Sequence, residues 1–270
     1  MIKYKPISAG AKALRENLSK RNIRLLDTTI EKLLKTGTSI DGSKNFTINW
    51  GCSSFKHQHL VSNYVYNVPT AVAAAINKVT ALSLLHNAGV PSVECTTNKT
   101  DALAWLKDEE DSCELVMGRT RTSGTRGDGI LLLDKDNWIL AHKKVGESGN
   151  PFKFYTKYFK KTAEYRVHVF LDKVILVQHK KRSKAAEKVD YRIRNHERGW
   201  VYCVNDLDYP NEILGVAVDA VAALGLDFGA VDVIFNKVLG TKVLEVNTAP
   251  GLQGETTVEA YTAAIESLMK

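Results

Sequence analysis

This chain of 270 residues has little of several features that define whole classes of protein. It has 4 cysteines, at Cys52, Cys95, Cys113 and Cys203, and no two of them have the spacing of a zinc site or a disulfide framework. It has 6 prolines and no proline-rich linker, internal repeat or low-complexity tract. We therefore expect reduced, mostly buried cysteines and closely packed domains.

Long apolar runs are also missing. No run approaches the roughly 18 to 20 apolar residues that a membrane helix needs, and the start of the chain lacks the apolar core of a signal peptide. These absences predict a cytoplasmic protein without membrane association. The apolar content of 44% and the charged content of 25% are typical of folded globular proteins.

The net charge of +7 is the one strong bias in the composition. A basic chain favours anionic partners. Nucleotide phosphates, an acidic substrate and a nucleic acid would each account for this charge, so it does not choose among them.

The most informative segment lies near the carboxyl end of the chain. Apolar and β-branched residues at 231–235 and 243–246, separated by turn-forming residues, predict a β-hairpin. Glu245 and Asn247 share one face of the second strand, and Asp232 can reach that face from the first. Two carboxylates and an amide oxygen suit Mg²⁺ that takes its other ligands from water and phosphates. The alternative is an ordinary hairpin with solvated polar positions.

A second informative segment, at 115–133, predicts a strand, a glycine-rich basic turn and another strand. Its glycines and arginines are Arg119, Arg121, Gly124, Arg126, Gly127 and Gly129, besides Gly118 within the first strand. Such loops bring backbone N–H groups and cations close to phosphates. The alternative is a flexible hairpin that binds nothing.

Residues 1–75 predict a small α/β unit, with amphipathic helices over Ala11–Leu18 and Thr28–Leu34 and a strand over Phe46–Trp50. Ligands of such units collect at the carboxyl ends of strands. A candidate substrate rim follows this strand, although a plain strand-to-loop junction is the alternative. Its residues are Asn49, Gly51, Cys52 and Ser53.

Further elements follow from periodicity and turn residues. A helix begins near Lys78, ends at Gly89 and leads into a strand over 91–96; helices are also predicted over 211–224 and 258–268, strands over 154–159, 164–170 and 174–178, and a surface loop over 141–150. A basic run comes after the last of these strands and contains Lys180, Lys181, Arg182, Lys184, Arg192, Arg194 and Arg198. It predicts either a solvated face or an anion-binding surface.

The order of these features resembles the ATP-grasp superfamily, over about Asn77 to Tyr261. The phrase Leu-Glu245-Val-Asn247-Thr-Ala-Pro-Gly251 looks especially like the ending of D-alanine–D-alanine ligases. The wording of 164–170 and 226–232 is most similar to ATP-grasp proteins of tailed phages, which would place the protein in the host cytoplasm if it is phage-encoded.

The resemblance implies an α/β (α+β) protein with the ATP-grasp fold. Residues 1–75 would form an N-terminal α/β substrate domain that precedes the ATP-grasp part. Residues 76–158 would form a lid subdomain with the glycine-rich loop, and residues 159–270 a second α+β subdomain with the magnesium site. The two subdomains would clasp ATP between them.

The resemblance also implies roles for individual residues. Lys78 and Arg119 would bind the α- and β-phosphates. The loop over 122–129, with Ser123, Gly124, Gly127 and Gly129, would close over the γ-phosphate and keep out water. The strand with Lys157, Tyr158 and Phe159 would supply backbone contacts to adenine, and Glu164 would hold the ribose. Asp232, Glu245 and Asn247 would carry two magnesium ions, for which Mn²⁺ could substitute.

The chain departs from the family at two positions. Many members have a lysine where Arg119 stands, although arginine keeps its charge and binds phosphate bidentately. D-alanine ligases have an arginine where this chain has Ala230, so the acyl-phosphate contact would come from Arg166, Lys180 or Arg194. The segment 194–199 is loosely similar to ribosomal-protein glutamate ligases, and only Asn195 and Arg198 are carried over from it.

The activity implied is an ATP-dependent carboxylate–amine or carboxylate–thiol ligase that works through an acyl phosphate. Backbone groups at Gly251 would lie near the tetrahedral oxyanion. The acceptor could be an amino acid, a peptide or a modified nucleobase, which leaves a nucleic acid open as substrate, and the oligomeric state is not predicted. The alternatives are an ATP-grasp kinase and a non-catalytic relic that binds nucleotide or nucleic acid.

Overall fold

The structure is a computed structural model that describes residues 2–3, 9–21, 23, 46–54, 64–107, 113–124, 129–144, 151–205 and 208–269. Its strands are β1 Ile2–Lys3, β2 Phe46–Trp50, β3 Tyr64–Tyr66, β4 Cys95–Thr96, β5 Val116–Arg119, β6 Ile130–Leu133, β7 Phe154–Lys157, β8 Ala163–Phe170, β9 Lys173–Arg182, β10 Trp200–Cys203, β11 Phe228–Asn236 and β12 Gly240–Asn247. Its helices are α1 Ala9–Lys20, α2 Pro69–Ile76, α3 Lys78–Asn87, α4 Lys99–Lys107, α5 Trp138–Lys144, α6 Glu212–Ala223 and α7 Glu255–Ser267, with a 3₁₀ helix at His196–Arg198.

The strands form three sheets. The N-terminal sheet is parallel, in the order β1-β2-β3. The lid sheet is antiparallel, in the order β4-β7-β5-β6, and the C-terminal sheet is antiparallel, in the order β10-β9-β8-β11-β12. No helix among the described residues is long and apolar enough to cross a membrane.

The C-terminal sheet carries the largest core on one of its faces. Alternate residues of β8 and β11, such as Val167 and Val231, point into this core and pack against α2, α3 and α6. Antiparallel strands commonly bury one face and leave the other polar. On β12 a bulge at Leu244 lets both Val243 and Val246 enter the core, although they lie three residues apart.

Two smaller cores belong to the other sheets. In the lid, α4 and α5 cover the sheet, and Leu106, Trp138 and Tyr155 are buried between them. At the N-terminal sheet, α1 and α7 pack around Trp50, whose ring lies 5.2 Å from that of Phe228 on β11. The N-terminal unit is therefore fastened to the end of the C-terminal sheet.

Most predicted elements are confirmed, including α1, β2, α3, the two hairpins of the C-terminal sheet and α7. Two expectations are wrong in detail. The strand predicted over 91–96 is limited to Cys95–Thr96 and an isolated bridge between Ser92 and Val243, and residues 141–144 of the predicted surface loop belong to α5. The helix predicted over Thr28–Leu34 lies outside the described residues.

The predicted domain boundaries at residues 75 and 158 remain predictions. Part of the predicted lid subdomain packs against the C-terminal sheet. Helix α3 and the segment after it contribute Leu82, Leu85 and Val93 to the core of the C-terminal sheet. The Val93 N–H donates to the Val243 carbonyl at 3.1 Å, so this part of the predicted lid touches β12 directly.

Asn67 joins the N-terminal unit to β11. Its Oδ1 accepts from the backbone N–H groups of Asp227 at 2.8 Å and Phe228 at 3.1 Å, and its Nδ2 donates to the Phe228 carbonyl at 2.9 Å. Asn67 is fully buried and has a φ of 61°, a left-handed conformation that asparagine tolerates better than most residues. One side chain thus satisfies three backbone groups at the start of β11.

We expect Asn67→Ala to lower the free energy of unfolding by about 3 kcal/mol, because three buried backbone groups lose their partners and the left-handed conformation becomes less favourable. Urea unfolding followed by tryptophan fluorescence measures the change. Asn87→Ala, at the exposed end of α3, is the control and should change stability by less than about 0.5 kcal/mol. Equal effects of the two substitutions would contradict the role of Asn67.

A buried polar network holds α7 on the sheet. His168 on β8 contacts the Tyr261 hydroxyl through Nδ1 at 3.1 Å and the Gln178 side-chain oxygen through Nε2 at 3.0 Å. Gln178 donates to the Thr257 hydroxyl at 3.3 Å. Burial lowers the pKa of His168 to about 4, so the folded protein keeps this imidazole neutral at pH 7.

This pKa predicts the sign of a pH effect on stability. Below pH 6.5 the unfolded chain protonates His168 while the folded chain does not, so stability falls as pH falls toward 4. Between pH 7.5 and 4.5 we expect wild type to lose about 2 to 3 kcal/mol more than His168→Gln. Urea unfolding at several pH values tests this, with the exposed His86→Gln as control. Parallel pH profiles for wild type and His168→Gln would refute it.

Candidate active site

The polar face of the C-terminal sheet collects charged side chains from neighbouring strands. Asp232 on β11 lies opposite Arg166 on β8 and, on its other side, opposite Glu245 on β12. Asn247 follows two residues after Glu245 and lies opposite Ala230. The registers therefore bring together side chains that are far apart in the sequence.

Asp232 and Arg166 form a bidentate ion pair. Arg166 Nε lies 2.6 Å from Asp232 Oδ1, and Arg166 Nη2 lies 2.8 Å from Asp232 Oδ2. Burial opposes ionisation of Asp232, but the charge and hydrogen bonds of Arg166 outweigh it and hold the pKa of the carboxyl below its ordinary value. Asp232 is therefore a carboxylate at neutral pH, although it is only 3% exposed.

Glu245 forms an ion pair with Lys78, the first residue of α3. The helix starts there because Asn77 caps it: its Oδ1 accepts from the N–H groups of Val79 at 3.1 Å and Thr80 at 3.3 Å. The Lys78 backbone N–H donates to the carbonyl of Thr122 at 2.8 Å. The helix start therefore connects the glycine-rich turn of the lid to the carboxylates of the C-terminal sheet.

Arg119 belongs to the lid sheet and is within electrostatic range of Glu245. It ends β5, donates from Nε to the Thr156 hydroxyl at 3.4 Å and lies 5.6 Å from the centre of the Phe154 ring. Burial lowers the pKa of Arg119, and the negative charge of Glu245 opposes this shift. Arginine stays charged even so, which gives the site a fixed cation on the lid side.

A second cluster surrounds Glu164, which is 2% exposed. Lys180 pairs with one of its oxygens, and Lys161 Nζ lies 3.5 Å from the other, Oε2, which is buried without a hydrogen-bond partner. Burial lowers the pKa of Lys161, and the charges of Arg194 and Lys180 add to the effect against the attraction of Glu164. Positive charge exceeds negative charge in this cluster.

Arg194 and Asn195 organise the basic segment beside this cluster. The Arg194 guanidinium lies 4.2 Å from the Trp200 ring centre and donates to the Lys161 carbonyl at 3.4 Å. Asn195 Oδ1 accepts from the Arg198 N–H at 2.8 Å, so its side chain caps the 3₁₀ helix. Arg198 itself pairs with Asp190. The roles predicted for Arg194 and Asn195 at a reacting group remain predictions.

The remaining predicted residues lie around these clusters. In the adenine segment, the N–H groups of Lys157 and Tyr158 donate to the carbonyls of Glu94 and Leu115, both at 3.0 Å, and Phe159 lies against the core of the C-terminal sheet. Ser123, Gly124 and Gly129 lie at the described ends of the lid turn, and Gly127 lies outside the described residues. Gly251 is exposed and has open space on its Cβ side.

The candidate substrate rim meets the loop after Asn247. The Trp50 indole N–H donates to the carbonyl of Pro250 at 3.2 Å. Gly51 has a φ of 80°, and a Cβ there would come within 2.7 Å of the Ala249 Cβ. Asn49 holds the rim in place, because its side chain bonds the backbone of Cys52 in both directions, at 2.8 and 2.9 Å.

Sequence reasoning missed two residues of the site, Lys161 and Tyr202. Tyr202 on β10 lies opposite Lys180, and its ring centre is 4.4 Å from Arg166 Cζ and 4.9 Å from Lys180 Nζ. The alternation of Trp200 and Tyr202 after the basic run was the signal for a strand with an aromatic face. Lys161 gave no comparable signal, because it lies among other lysines in a turn.

The donor set fits magnesium with a nucleotide. The described residues contain no group of three His, Cys, Asp or Glu side chains that could hold a metal ion by itself. Asp232, Glu245 and Asn247 instead supply two carboxylates and an amide, which suits an ion that takes further ligands from phosphates. Asn247 Nδ2 donates to the Ala230 carbonyl at 3.4 Å, which leaves its Oδ1 to face a metal.

We compared the amino-acid sequence with family models and with curated proteins. No family model matches the chain. It is 25% identical over 205 residues to a probable alpha-L-glutamate ligase of Haemophilus influenzae, an alignment that covers 75% of this chain and 65% of the relative. A similar protein from Hahella chejuensis is 28% identical over 210 residues, with 76% and 65% covered. The chain thus spans about 65% of the length of the curated relatives it matches.

Solved structures match almost the whole chain. The ATP-grasp ligase PsnB, complexed with a minimal precursor, superimposes with a TM-score of 0.69 at 14% identity and covers 98% of this chain and 97% of its own. The D-alanine–D-alanine ligase of Bacillus anthracis gives a TM-score of 0.66 at 16% identity, with 99% and 94% covered. These likenesses confirm the predicted fold class: the chain has the ATP-grasp fold.

Proposed function

We propose that this chain is an ATP-dependent carboxylate–amine ligase that forms an amide through an acyl phosphate and releases ADP and phosphate. One observation carries the proposal. The registers of β8, β11 and β12 set Asp232, Glu245 and Asn247 side by side, with Lys78, Arg119 and Arg166 around them. Oxygen donors beside fixed cations suit a magnesium–polyphosphate complex and not either part alone.

The first step would join a substrate carboxylate to ATP. A carboxylate oxygen attacks the γ-phosphorus, the bond from that phosphorus to the β–γ bridging oxygen breaks, and ADP carries away the electron pair. The transferred group spreads negative charge over its oxygens, so cations around it lower the barrier. Arg166 and Lys180, on the polar face of the same sheet, would supply that charge. Bound magnesium would neutralise the phosphates further.

The second step would form the amide. An amine nitrogen attacks the acyl carbon, loses a proton and expels inorganic phosphate. Water would destroy the acyl phosphate, so the site needs a cover. The bond from the Lys78 N–H to the carbonyl of Thr122, at the start of the lid turn, supports this turn as the cover. The exposed backbone at Gly251 lies next to the rim of the N-terminal unit and would face the tetrahedral intermediate.

Nucleotide contacts would come from both sides of the site. Lys78 and Arg119 would bind the α- and β-phosphates. The γ-phosphate would be bound by the lid turn, through Ser123, Gly124, Gly127 and Gly129. The backbone at Lys157, Tyr158 and Phe159 would face adenine. Glu164 Oε2, buried without a hydrogen-bond partner, would accept from a ribose hydroxyl. The related PsnB ligase has also been solved with Mg and ADP, which supports ATP and Mg²⁺ as cofactors here.

The substrates remain open within their class. The relatives are named as glutamate ligases, and PsnB was solved with a precursor peptide, so we propose an amino acid or peptide carboxylate and an amine acceptor. A nucleic-acid acceptor, a cytoplasmic location and the resemblance to phage proteins stay predictions.

The metal assignment predicts a loss of nucleotide binding. We expect Glu245→Gln to weaken magnesium-dependent binding of β,γ-imido-ATP by about tenfold or more, because a carboxylate ligand is lost, while the exposed Glu16→Gln on α1 leaves it unchanged. Calorimetry with and without Mg²⁺ measures both. Nucleotide binding that needs no Mg²⁺ and is unchanged by Glu245→Gln would contradict the metal-site assignment.

The ligase chemistry predicts an acyl phosphate that hydroxylamine can trap. With ATP, Mg²⁺, hydroxylamine and a panel of amino acids and glutamate-ending peptides, we expect a hydroxamate with one ADP formed per hydroxamate for the true substrate. Mass spectrometry detects the hydroxamate, and Asp232→Asn should abolish it, while substitution of the exposed Asp219 on α6, Asp219→Asn, should not. A stable phosphate ester formed with ADP, and no hydroxamate, would identify a kinase instead.

A further inference from the structure

Tyr202 touches both cations that the proposed reaction needs at the transferred group. It lies on the edge strand β10, opposite Lys180 on β9, and Arg166 comes from β8, the next strand across. Arg166 Cζ is 4.4 Å and Lys180 Nζ is 4.9 Å from the centre of its ring. Both distances are within the roughly 6 Å range in which a cation is attracted to an aromatic ring.

Each of these cations is otherwise held by a different carboxylate. Arg166 binds Asp232, and Lys180 binds Glu164 and the Arg194 carbonyl at 3.0 Å. The two carboxylates lie on different strands, and the two positive charges repel each other. The ring offers both cations a common partner, because the faces of an aromatic ring carry partial negative charge.

The ring remains a neutral partner at any physiological pH. Burial raises the pKa of the Tyr202 hydroxyl, and the charge of Asp232 raises it further against the influence of Arg166. The phenol therefore does not ionise beside the phosphates, where a second negative charge would repel them. A neutral ring can attract the cations without competing with phosphate for their hydrogen bonds.

We propose that Tyr202 is a positioning residue that holds Arg166 and Lys180 together toward the terminal phosphoryl group of the nucleotide. The inference rests on the proposed function and adds a residue and a physical role to it. In the absence of the ring, the two separate carboxylates alone would set the positions of Arg166 and Lys180. The β-phosphate, which Lys78 and Arg119 would contact, does not depend on Tyr202.

The affinities for two nucleotides distinguish this positioning role from a purely structural role of the Tyr202 side chain. By calorimetry in Mg²⁺, we expect Tyr202→Leu to weaken binding of β,γ-imido-ATP by about tenfold and that of ADP by less than about twofold, since only the former has a terminal group for the two cations. Tyr202→Phe keeps the ring and should bind both ligands within about twofold of wild type. Tyr191, an exposed tyrosine in the connection between β9 and β10, provides the matched control, and Tyr191→Leu should change the affinity for neither nucleotide.

Three outcomes overturn the proposal. Tyr202→Leu could bind both nucleotides as wild type does, or it could lose affinity for both equally, which packing alone would explain. Tyr202→Phe could lose as much affinity for β,γ-imido-ATP as Tyr202→Leu, which would assign the effect to the hydroxyl. If Tyr202→Leu fails to fold, Tyr202→Met fills the space without a ring and takes its place.

A second measurement does not depend on nucleotide binding. A proton near an aromatic face is shifted upfield in the NMR spectrum, so the Lys180 ε-methylene protons should be shifted in wild type and Tyr202→Phe and return toward ordinary values in Tyr202→Leu. The same resonance position in all three proteins would refute the contact itself. Wild type that binds neither nucleotide but shows the shift would refute the proposed function and leave the contact established.

Discussion

Pairing of opposite charges on the partly buried face of one antiparallel sheet is the constraint on which the site depends. A carboxylate as buried as Asp232 or Glu164 is stable only with a partner, and the strand registers supply Arg166 to one and Lys180 to the other. Helix α3 brings Lys78 to Glu245 in the same way. Removing one member of such a pair leaves a buried charge, so the face is sensitive to single substitutions.

In the proposed function, the same pairs would prepare the site for a charged ligand. A magnesium–nucleotide complex presents a cation to the carboxylates and anions to the lysines and arginines, so each side chain could exchange a protein partner for a ligand partner of the same sign. These groups are already desolvated in the folded protein. This favours binding of a complex that offers partners both to the carboxylates and to the lysines and arginines. A nucleotide without metal, or a metal without nucleotide, would satisfy only one.

The sequence predicted the part of this site that follows from strand alternation and the resemblance. Glu245 and Asn247 share a face as expected, and Asp232 reaches it from the neighbouring strand. The alternation of Trp200 and Tyr202 could have indicated a strand, but not the place of Tyr202 beside Lys180, because that place depends on how β9 pairs with β10. The bulge at Leu244, the length of α5 and the packing of α3 on the C-terminal sheet likewise depend on long-range contacts, which local patterns do not encode.

In the proposed reaction the charged face would activate a phosphoryl group, a task that kinases and ligases share, so the choice of acceptor would depend on another part of the molecule. The rim after β2 is the best placed, because Trp50 bonds the carbonyl of Pro250 and Gly51 packs against Ala249, just beyond the last metal-ligand candidate, Asn247. Asn67 anchors this unit to β11, next to the strand that carries Asp232. A substrate held at the rim would therefore be positioned by the same backbone that would position the phosphates in the proposed reaction, and selection of the acceptor would then be coupled to the geometry of that reaction.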